Sequence, residues 1–131
     1  MTITGSCHCG KIAFHIEAEH PSKLTRCTCS FCNKRGALLA YFQPAQFHVT
    51  ASSSSSSSSS LDNAIYRWNT ELVAHHFCRS CGCATYSDSP AFEPDGSWDN
   101  HTRRLGVNAR LFDDFNEADV TIEIIDGKNL W

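Results

Sequence analysis

The first regular pattern along the chain is an alternation of apolar and polar residues near its start. In the stretch KIAFHIEAE, residues 11–19, the apolar side chains Ile12, Phe14 and Ile16 are separated by single residues. A period of two places these three side chains on one face, which predicts a half-buried β-strand. The preceding TGSCHCG lacks the alternation and is predicted to be a loop, and His20–Pro21 ends the strand.

Further short apolar runs, separated by turn-forming residues, predict more strands. They cover residues 24–27, 37–42, 47–50, 61–68, 72–77, 84–87, 105–108 and 120–125. A turn or one helical turn is predicted at 33–36, a turn at Asn69–Thr70, and an irregular loop from 90 to 103. Because helical periodicity is weak and no repeat is present, we expect a mainly β fold of short antiparallel strands.

Nine consecutive serines occupy residues 52–60. A run of serine cannot bury apolar surface, so it predicts a flexible, solvated hairpin loop without chemistry of its own. The tract is too short to separate two domains. The chain has 131 residues and a mass of 14.6 kDa, which predicts one small domain over residues 1–131.

Charge and hydropathy exclude several classes of function. The net charge is −3, and Lys34–Arg35 is the densest basic cluster, so nucleic-acid binding is not expected. The N-terminal MTITGSCHCG lacks the pattern of a signal peptide, and no apolar run approaches about 18–20 residues. We therefore expect a soluble, cytoplasmic protein without membrane association. An exposed edge strand in a small β domain would also allow a homodimer.

Eight cysteines are the most unusual feature of the composition. Structural disulfides belong mainly to secreted chains, so metal-binding thiols are favoured over four disulfides. The cysteines fall into three sequence clusters, which are Cys7-x-Cys9, Cys27-x-Cys29-x-x-Cys32, and Cys78-x-x-Cys81 followed by Cys83.

Cys78-x-x-Cys81 has the spacing of a zinc knuckle, in which a tight turn aims two sulfurs at one point. Gly82 permits the backbone of such a turn. Cys7-x-Cys9 offers two more sulfurs in a bent segment, so we predict a structural zinc bound by Cys7, Cys9, Cys78 and Cys81. This site would close a loop of about 70 residues and would contribute folding free energy.

Cys27, Cys29 and Cys32 then remain as a separate group of three ligands. A zinc ion with three protein ligands keeps one open position, and three thiolates make that position suitable for a sulfur donor or water. Lys34 and Arg35, beside the cluster, could attract a substrate carboxylate or form an ordinary solvated surface pair.

Several alternatives stay open for these cysteines. A fourth ligand would make the three-cysteine site structural, and the candidates for it are His15, His20, His48, His75, His76, His101 and Cys83. The pairs Cys29–Cys32 and Cys78–Cys81 could also be redox-active. His75 and His76 are adjacent in a predicted strand, so they should face opposite sides, with one of them exposed.

Four motifs follow one another along the chain: GSCHCGKIAF, CTCSFC followed by Gly36, YRWNT…HHFCRSCG, and GVNARL…DGKNLW. Together they resemble the glutathione-dependent formaldehyde-activating enzyme family, which includes centromere protein V-like members. The blocks match in order from Gly5 to Trp131, apart from the serine tract. The resemblance implies a mainly β "β-tent" fold with two zinc ions. It assigns the structural zinc to Cys7, Cys9, Cys78 and Cys81 and the catalytic zinc to Cys27, Cys29 and Cys32.

The resemblance also implies a carbon–sulfur lyase-type activity, the condensation of glutathione with formaldehyde to S-(hydroxymethyl)glutathione. The expected small-molecule partners are therefore a thiol such as glutathione and an aldehyde such as formaldehyde. The alternative is a non-catalytic, zinc-stabilised module that binds a small thiol or a partner protein.

Overall fold

The computed structural model describes residues 1–51 and 62–130, and the serine tract lies outside them. The strands are β1 (Ile3–Ser6), β2 (Ile12–Ile16), β3 (Lys23–Cys27), β4 (Leu39–Phe42), β5 (Phe47–Ala51), β6 (Asn63–Tyr66), β7 (Ala74–Cys78), β8 (Ala84–Pro90), β9 (Arg103–Asn108) and β10 (Thr121–Ile125). The short helices are α1 (Ser30–Arg35) and α2 (Gly127–Leu130), and 3₁₀ turns cover Pro44–Gln46, Ala109–Leu111 and Glu117–Asp119. The predicted mainly β fold is confirmed.

The described strands form two sheets. One has the order β1-β2-β5 and the other the order β10-β3-β4-β9-β8-β7-β6. Neighbouring strands are antiparallel except β3 and β10, which run parallel with Ile124 opposite Arg26. Among the described strands, this parallel pair is the exception to the antiparallel pairing that we expected. Because these two strands are far apart in sequence, the long connection lets β10 enter the sheet from the same end as β3.

The two sheets pack face to face around an aromatic core. Phe14 of β2 lies 5.3 Å, between ring centroids, from Phe47 of β5. Phe47 in turn lies 4.7 Å from Tyr86 of β8, which belongs to the other sheet. Ile16 and Val107 are completely buried in the same cluster. The inward positions of β2 are the alternating ones that the sequence pattern predicts.

One prediction about local structure is wrong. The segment TGSCHCG was predicted to be a loop, but its first residues belong to β1, in which Ile3 pairs with Ile16. The alternation of apolar and polar residues is interrupted there, because Gly5 occupies a buried position of β1 and has no apolar side chain. The hairpin loop predicted at residues 52–60 lies outside the described residues. Of the described strands on either side of it, β5 pairs with β2 and β6 pairs with β7.

The described residues contain no helix with the length and apolar character needed to cross a bilayer.

Candidate metal centres

Four cysteines lie together where a turn from the smaller sheet is close to a turn from the larger sheet. Cys7 and Cys9 lie in the turn between β1 and β2, Cys78 ends β7, and Cys81 lies in the turn between β7 and β8. Their four sulfur atoms all lie within 4.8 Å of one another. We call this group the four-cysteine cluster.

The two turns that carry this cluster have similar backbones. The N–H of Gly10 donates to the carbonyl of Cys7 over 3.1 Å, and the N–H of Gly82 donates to the carbonyl of Cys78 over 2.8 Å. Both glycines have φ of 82°, in the left-handed region that other residues rarely adopt. Each glycine therefore closes a tight turn that directs two sulfurs inward.

The sulfur–sulfur distances fit a tetrahedral metal ion. Cys9 Sγ lies 3.7 Å from Cys7 Sγ and 3.6 Å from Cys78 Sγ. A zinc–sulfur bond of about 2.3 Å gives a tetrahedral edge of about 3.8 Å. A disulfide bond needs about 2.05 Å between sulfurs, and all eight cysteines are free. The spacing therefore suits zinc and not cystine.

The protonation of these thiols is uneven. Burial raises the pKa of Cys7 to about 12, although the N–H of Ile12 donates to its sulfur over 3.3 Å. Burial also raises the pKa of Cys81, but hydrogen bonds from the backbone N–H groups of Cys83 and Cys9 outweigh it, and the pKa falls to about 6. Four thiolates at this spacing repel one another, and a divalent cation would offset that repulsion.

Cys27, Cys29 and Cys32 form a second group, here called the three-cysteine cluster, with all sulfurs within 4.8 Å of one another. Cys27 ends β3, Cys29 caps the N-terminus of α1, and Cys32 lies in α1. The N–H of Cys32 donates to Cys29 Sγ over 3.3 Å, and the N–H of Cys29 donates to Cys27 Sγ over 3.4 Å. Backbone donors therefore orient the sulfurs of Cys27 and Cys29 as acceptors.

The three thiols also differ in acidity. Burial raises the pKa of Cys27 and of Cys32. Burial acts in the same direction on Cys29, but the hydrogen bonds from Cys32 and Cys27 outweigh it and lower its pKa. Cys27 and Cys29 are buried, whereas Cys32 is partly exposed. Cys32 therefore marks the side of the cluster from which a small molecule could approach.

No candidate fourth ligand joins the three-cysteine cluster within residues 1–51 and 62–130. His75 Nδ1 lies 2.8 Å from Ser87 Oγ, and His76 Nδ1 lies 3.0 Å from Asn63 Oδ1. Both of these histidines are half-buried, so the expectation that one of them is exposed is wrong. His20 pairs with Asp114, His15 and His48 face each other on β2 and β5, and His101 is exposed in the loop before β9.

Cys83 belongs to neither cluster. It precedes β8 and packs, partly buried, against Cys7, Ile12 and Cys78. Its position near the four-cysteine cluster excludes it as the fourth ligand of the three-cysteine cluster. Cys83 is therefore a small, partly buried side chain that follows the Cys78-x-x-Cys81 turn and is not a ligand of either cluster.

A cleft of about 680 Å³ opens beside α1. The residues that carry its chemistry are Phe31, Lys34, Arg35, Tyr66, His75 and Arg110. No Asp or Glu is among the described residues that line it, and the three cysteines of the adjacent cluster are not in its wall. With three cations and no carboxylate, the cleft is suited to an anionic group.

Arg35 connects the cleft to the three-cysteine cluster. Its guanidinium lies 4.7 Å from the centre of the Phe31 ring and donates to Ser87 Oγ over 3.4 Å. Its Nε is buried and finds no hydrogen-bond partner in the part of the chain that the structure describes. Burial lowers the pKa of Arg35, while the negative charge of the thiolates at Cys32 and Cys29 raises it. The positive charge of Arg35 therefore acts electrostatically on the thiolates of the three-cysteine cluster and also on any group bound in the cleft.

Aromatic rings form one part of the cleft wall, and Trp68 packs beside it. The Phe31 ring lies 4.3 Å from His75, 5.5 Å from Tyr66 and 5.9 Å from Trp68, between ring centroids. Burial, followed by the charges of Arg35 and His76, lowers the pKa of His75 to about 4. His75 is therefore neutral near pH 7, and it presents a polar nitrogen without adding charge.

Sequence reasoning had no means of finding this wall. Phe31, Tyr66 and His75 come from α1, β6 and β7, and none of them lies in a motif that indicates a shared cleft. Lys34 and Arg35 carried a signal, their position shortly after Cys32, and His75 was considered only as a metal ligand.

These features define a class of protein, a small mainly β domain with two cysteine clusters that could hold metal ions. The family model of the glutathione-dependent formaldehyde-activating enzyme matches residues 2–125, and the chain belongs to this family. The resemblance found in the sequence motifs is thereby confirmed.

Individual relatives agree with this assignment. A curated Halomonas elongata protein named "Putative glutathione-dependent formaldehyde-activating enzyme" is 30% identical over 95 residues, which are 69% of this chain and 58% of that protein. The chain thus matches less than two thirds of that relative's length. The crystal structure of a Rhodobacter sphaeroides protein superposes with a TM-score of 0.67 at 26% identity, covering 94% of this chain and all of that one.

Proposed function

We propose that this protein is a zinc-dependent carbon–sulfur lyase-type enzyme that interconverts a thiol and an aldehyde with their hemithioacetal. The substrates we favour are glutathione and formaldehyde. The observation that carries the proposal is the three-cysteine cluster, which offers three converging sulfurs with no fourth protein ligand in the described residues, beside a cationic cleft. Membership of the family and the name of the Halomonas relative support the same reaction.

Two zinc ions per chain are proposed. In the four-cysteine cluster, Cys7, Cys9, Cys78 and Cys81 would complete a closed, structural site. In the three-cysteine cluster, Cys27, Cys29 and Cys32 would hold the second ion. That ion would supply a Lewis-acidic position that accepts a further donor and favours its deprotonated form.

The reaction balances without an oxidant or reductant. The thiol sulfur adds to the carbonyl carbon, so a carbon–sulfur bond forms while the carbon–oxygen π bond breaks. The thiol proton ends on the new hydroxyl oxygen. What the protein must supply is therefore a sulfur in its nucleophilic form, correctly placed, and not a change of oxidation state.

In this proposal the cleft binds and orients the thiol substrate. Arg35 and Lys34 would bind a substrate carboxylate, since the described residues of the cleft wall include no Asp or Glu. The Phe31 and Tyr66 rings would exclude water from the substrate's aliphatic part. An anionic thiol held by its carboxylate would then bring its sulfur toward Cys32, the partly exposed edge of the cluster.

Metal analysis tests the first part of the proposal. We expect two zinc ions per chain in the wild type and one in Cys29→Ser, with the fold kept, because α1 can still form next to β3. Cys83→Ser is the matched control and should keep both ions, because Cys83 belongs to neither cluster. A single zinc in the wild type, with the three-cysteine cluster metal-free, would contradict the proposed catalytic site.

Exchange NMR tests the second part. Glutathione and formaldehyde combine spontaneously, so the measured quantity is the acceleration of their interconversion by micromolar protein. We expect acceleration by the wild type and none by Cys29→Ser. If the zinc-loaded wild type does not accelerate exchange of this pair, the glutathione and formaldehyde assignment fails, and the protein is better described as a module that binds a thiol or a protein partner.

A further inference from the structure

A third cluster of metal-ligating side chains lies on the outer face of the smaller sheet, away from both cysteine clusters. His15 on β2 is the register partner of His48 on β5. Glu17 follows β2 two residues after His15, so it projects from the same face. Ile12, Phe14 and Ile16, on the other face of β2, are buried. The register of the sheet therefore brings two imidazoles and one carboxylate together on a solvent-facing surface.

The ligand atoms of these three residues lie close together. One ring nitrogen of each histidine and one oxygen of Glu17 are within 4.8 Å of one another. The two imidazole rings are stacked, with centroids 4.8 Å apart. His48 Nε2 lies 3.8 Å from Glu17 Oε2. Ligands around a zinc ion at about 2.1 Å lie about 3.4 Å apart, so binding needs an adjustment of about 1 Å in exposed side chains.

We propose that His15, Glu17 and His48 form a binding site for a divalent transition cation of borderline softness, such as Zn²⁺. Two imidazoles and one carboxylate are a donor set that zinc, nickel and copper accept, and the site differs in softness from the thiolate clusters. Three protein ligands leave the remaining coordination positions open to solvent.

A simple ion pair between Glu17 and His48 is the competing explanation of this arrangement. Exposed pairs of that kind contribute about 0–1 kcal/mol, and such a pair gives His15 no part. A shared cation accounts for all three residues. It would cross-link β2 to β5 on the outer face, whereas the hydrophobic core holds the same strands from within.

Calorimetric titration with Zn²⁺ tests the site in the full-length protein, after its metal content has been measured and all loosely held metal removed. We expect about one further equivalent to bind the wild type. His15→Ala and Glu17→Gln should weaken this binding by about tenfold or more, while the cysteine-bound zinc stays unchanged. His101→Ala is the matched control, since His101 is an exposed histidine outside the cluster, and it should bind as the wild type does.

A thermal-shift measurement gives a second, independent readout. Because a ligand that binds only the folded state raises its stability, added Zn²⁺ should raise the melting temperature of the wild type and of His101→Ala, but not of His15→Ala. Glu17→Gln, an exposed and nearly isosteric change, keeps the test meaningful if His15→Ala proves unstable. The proposal is overturned if no further equivalent binds, or if His15→Ala and Glu17→Gln bind as tightly as His101→Ala.

Discussion

Arg35 is the residue whose position says most about the proposed substrate. It lies between the three-cysteine cluster and the cleft, stacked on Phe31, and its Nε has no hydrogen-bond partner among the described residues. A buried donor without a partner costs free energy unless a ligand satisfies it. A carboxylate in the cleft would satisfy that donor, since guanidinium binds carboxylates with two parallel hydrogen bonds.

We therefore predict that Arg35→Gln raises KM for glutathione by about tenfold to a hundredfold, the effect of losing a charge-assisted hydrogen bond worth about 1.5–3 kcal/mol. The turnover number should change much less, because Arg35 acts on binding. The measurement is exchange NMR over a range of thiol concentrations. Arg35→Lys keeps the charge and should recover part of the affinity.

Two controls make the Arg35 result specific. Arg26→Gln removes an exposed arginine that does not line the cleft, so its KM should stay at the wild-type value. An uncharged thiol such as 2-mercaptoethanol has no carboxylate and should be insensitive to Arg35→Gln. Equal effects on both thiols would mean that Arg35 supports the fold of the site and does not recognise an anion.

At the scale of elements, β1 depends on a close approach that only glycine allows. Gly5 pairs with Phe14 of β2, and it also bridges to Phe112 at the end of a 3₁₀ turn. A Cβ atom on Gly5 would lie 2.5 Å from the carbonyl oxygen of Leu111 and 2.6 Å from Cζ of Phe14. Neither of these atoms can move without disturbing the sheet or the core.

Gly5→Ala should therefore lower the free energy of unfolding by about 1–3 kcal/mol, the usual cost of overpacking. The measurement is urea unfolding followed by tryptophan fluorescence. Gly106→Ala is the matched control in β9, because its Cβ would meet side-chain atoms at longer distances, the Tyr41 ring at 3.3 Å and Leu39 at 3.7 Å. A loss for Gly5→Ala no greater than that for Gly106→Ala would contradict the close approach at β1.

At the scale of the whole molecule, the four-cysteine cluster joins the two sheets. Cys9 and Cys78 are 69 positions apart in sequence, yet their sulfurs lie 3.6 Å from each other. A structural zinc contributes about 10–16 kcal/mol in small peptides, which is comparable to the entire net stability of a typical domain. Folding of this chain should therefore depend on metal binding at the cluster.

We predict that Cys81→Ser loses the zinc of the four-cysteine cluster and misfolds or aggregates, because three thiolates and a hydroxyl bind zinc poorly. Size-exclusion chromatography, near-UV circular dichroism and metal analysis are the measurements. Cys83→Ser, two positions away, is the control and should remain folded with both ions. A soluble Cys81→Ser protein with the wild-type melting temperature would contradict a structural role for this cluster.

The sequence by itself determined the mainly β class, most of the strands and the family. Strand alternation, as in Ile12, Phe14 and Ile16, depends only on local spacing, so it is visible without a structure. The cysteines also sort themselves by local spacing, and the sets grouped in this way lie together in space. That either set binds zinc stays a prediction.

Only the tertiary structure decided what lies around those cysteines. The cleft draws its wall from separate elements, the site at His15 and His48 follows from the register of β2 with β5, and the parallel pairing of β10 depends on the path of the whole chain. Contacts between residues far apart in sequence are set by packing and strand register, and neither leaves a local pattern. For that reason the sequence could indicate the two cysteine clusters, whereas the cleft that we propose for the substrate required the fold.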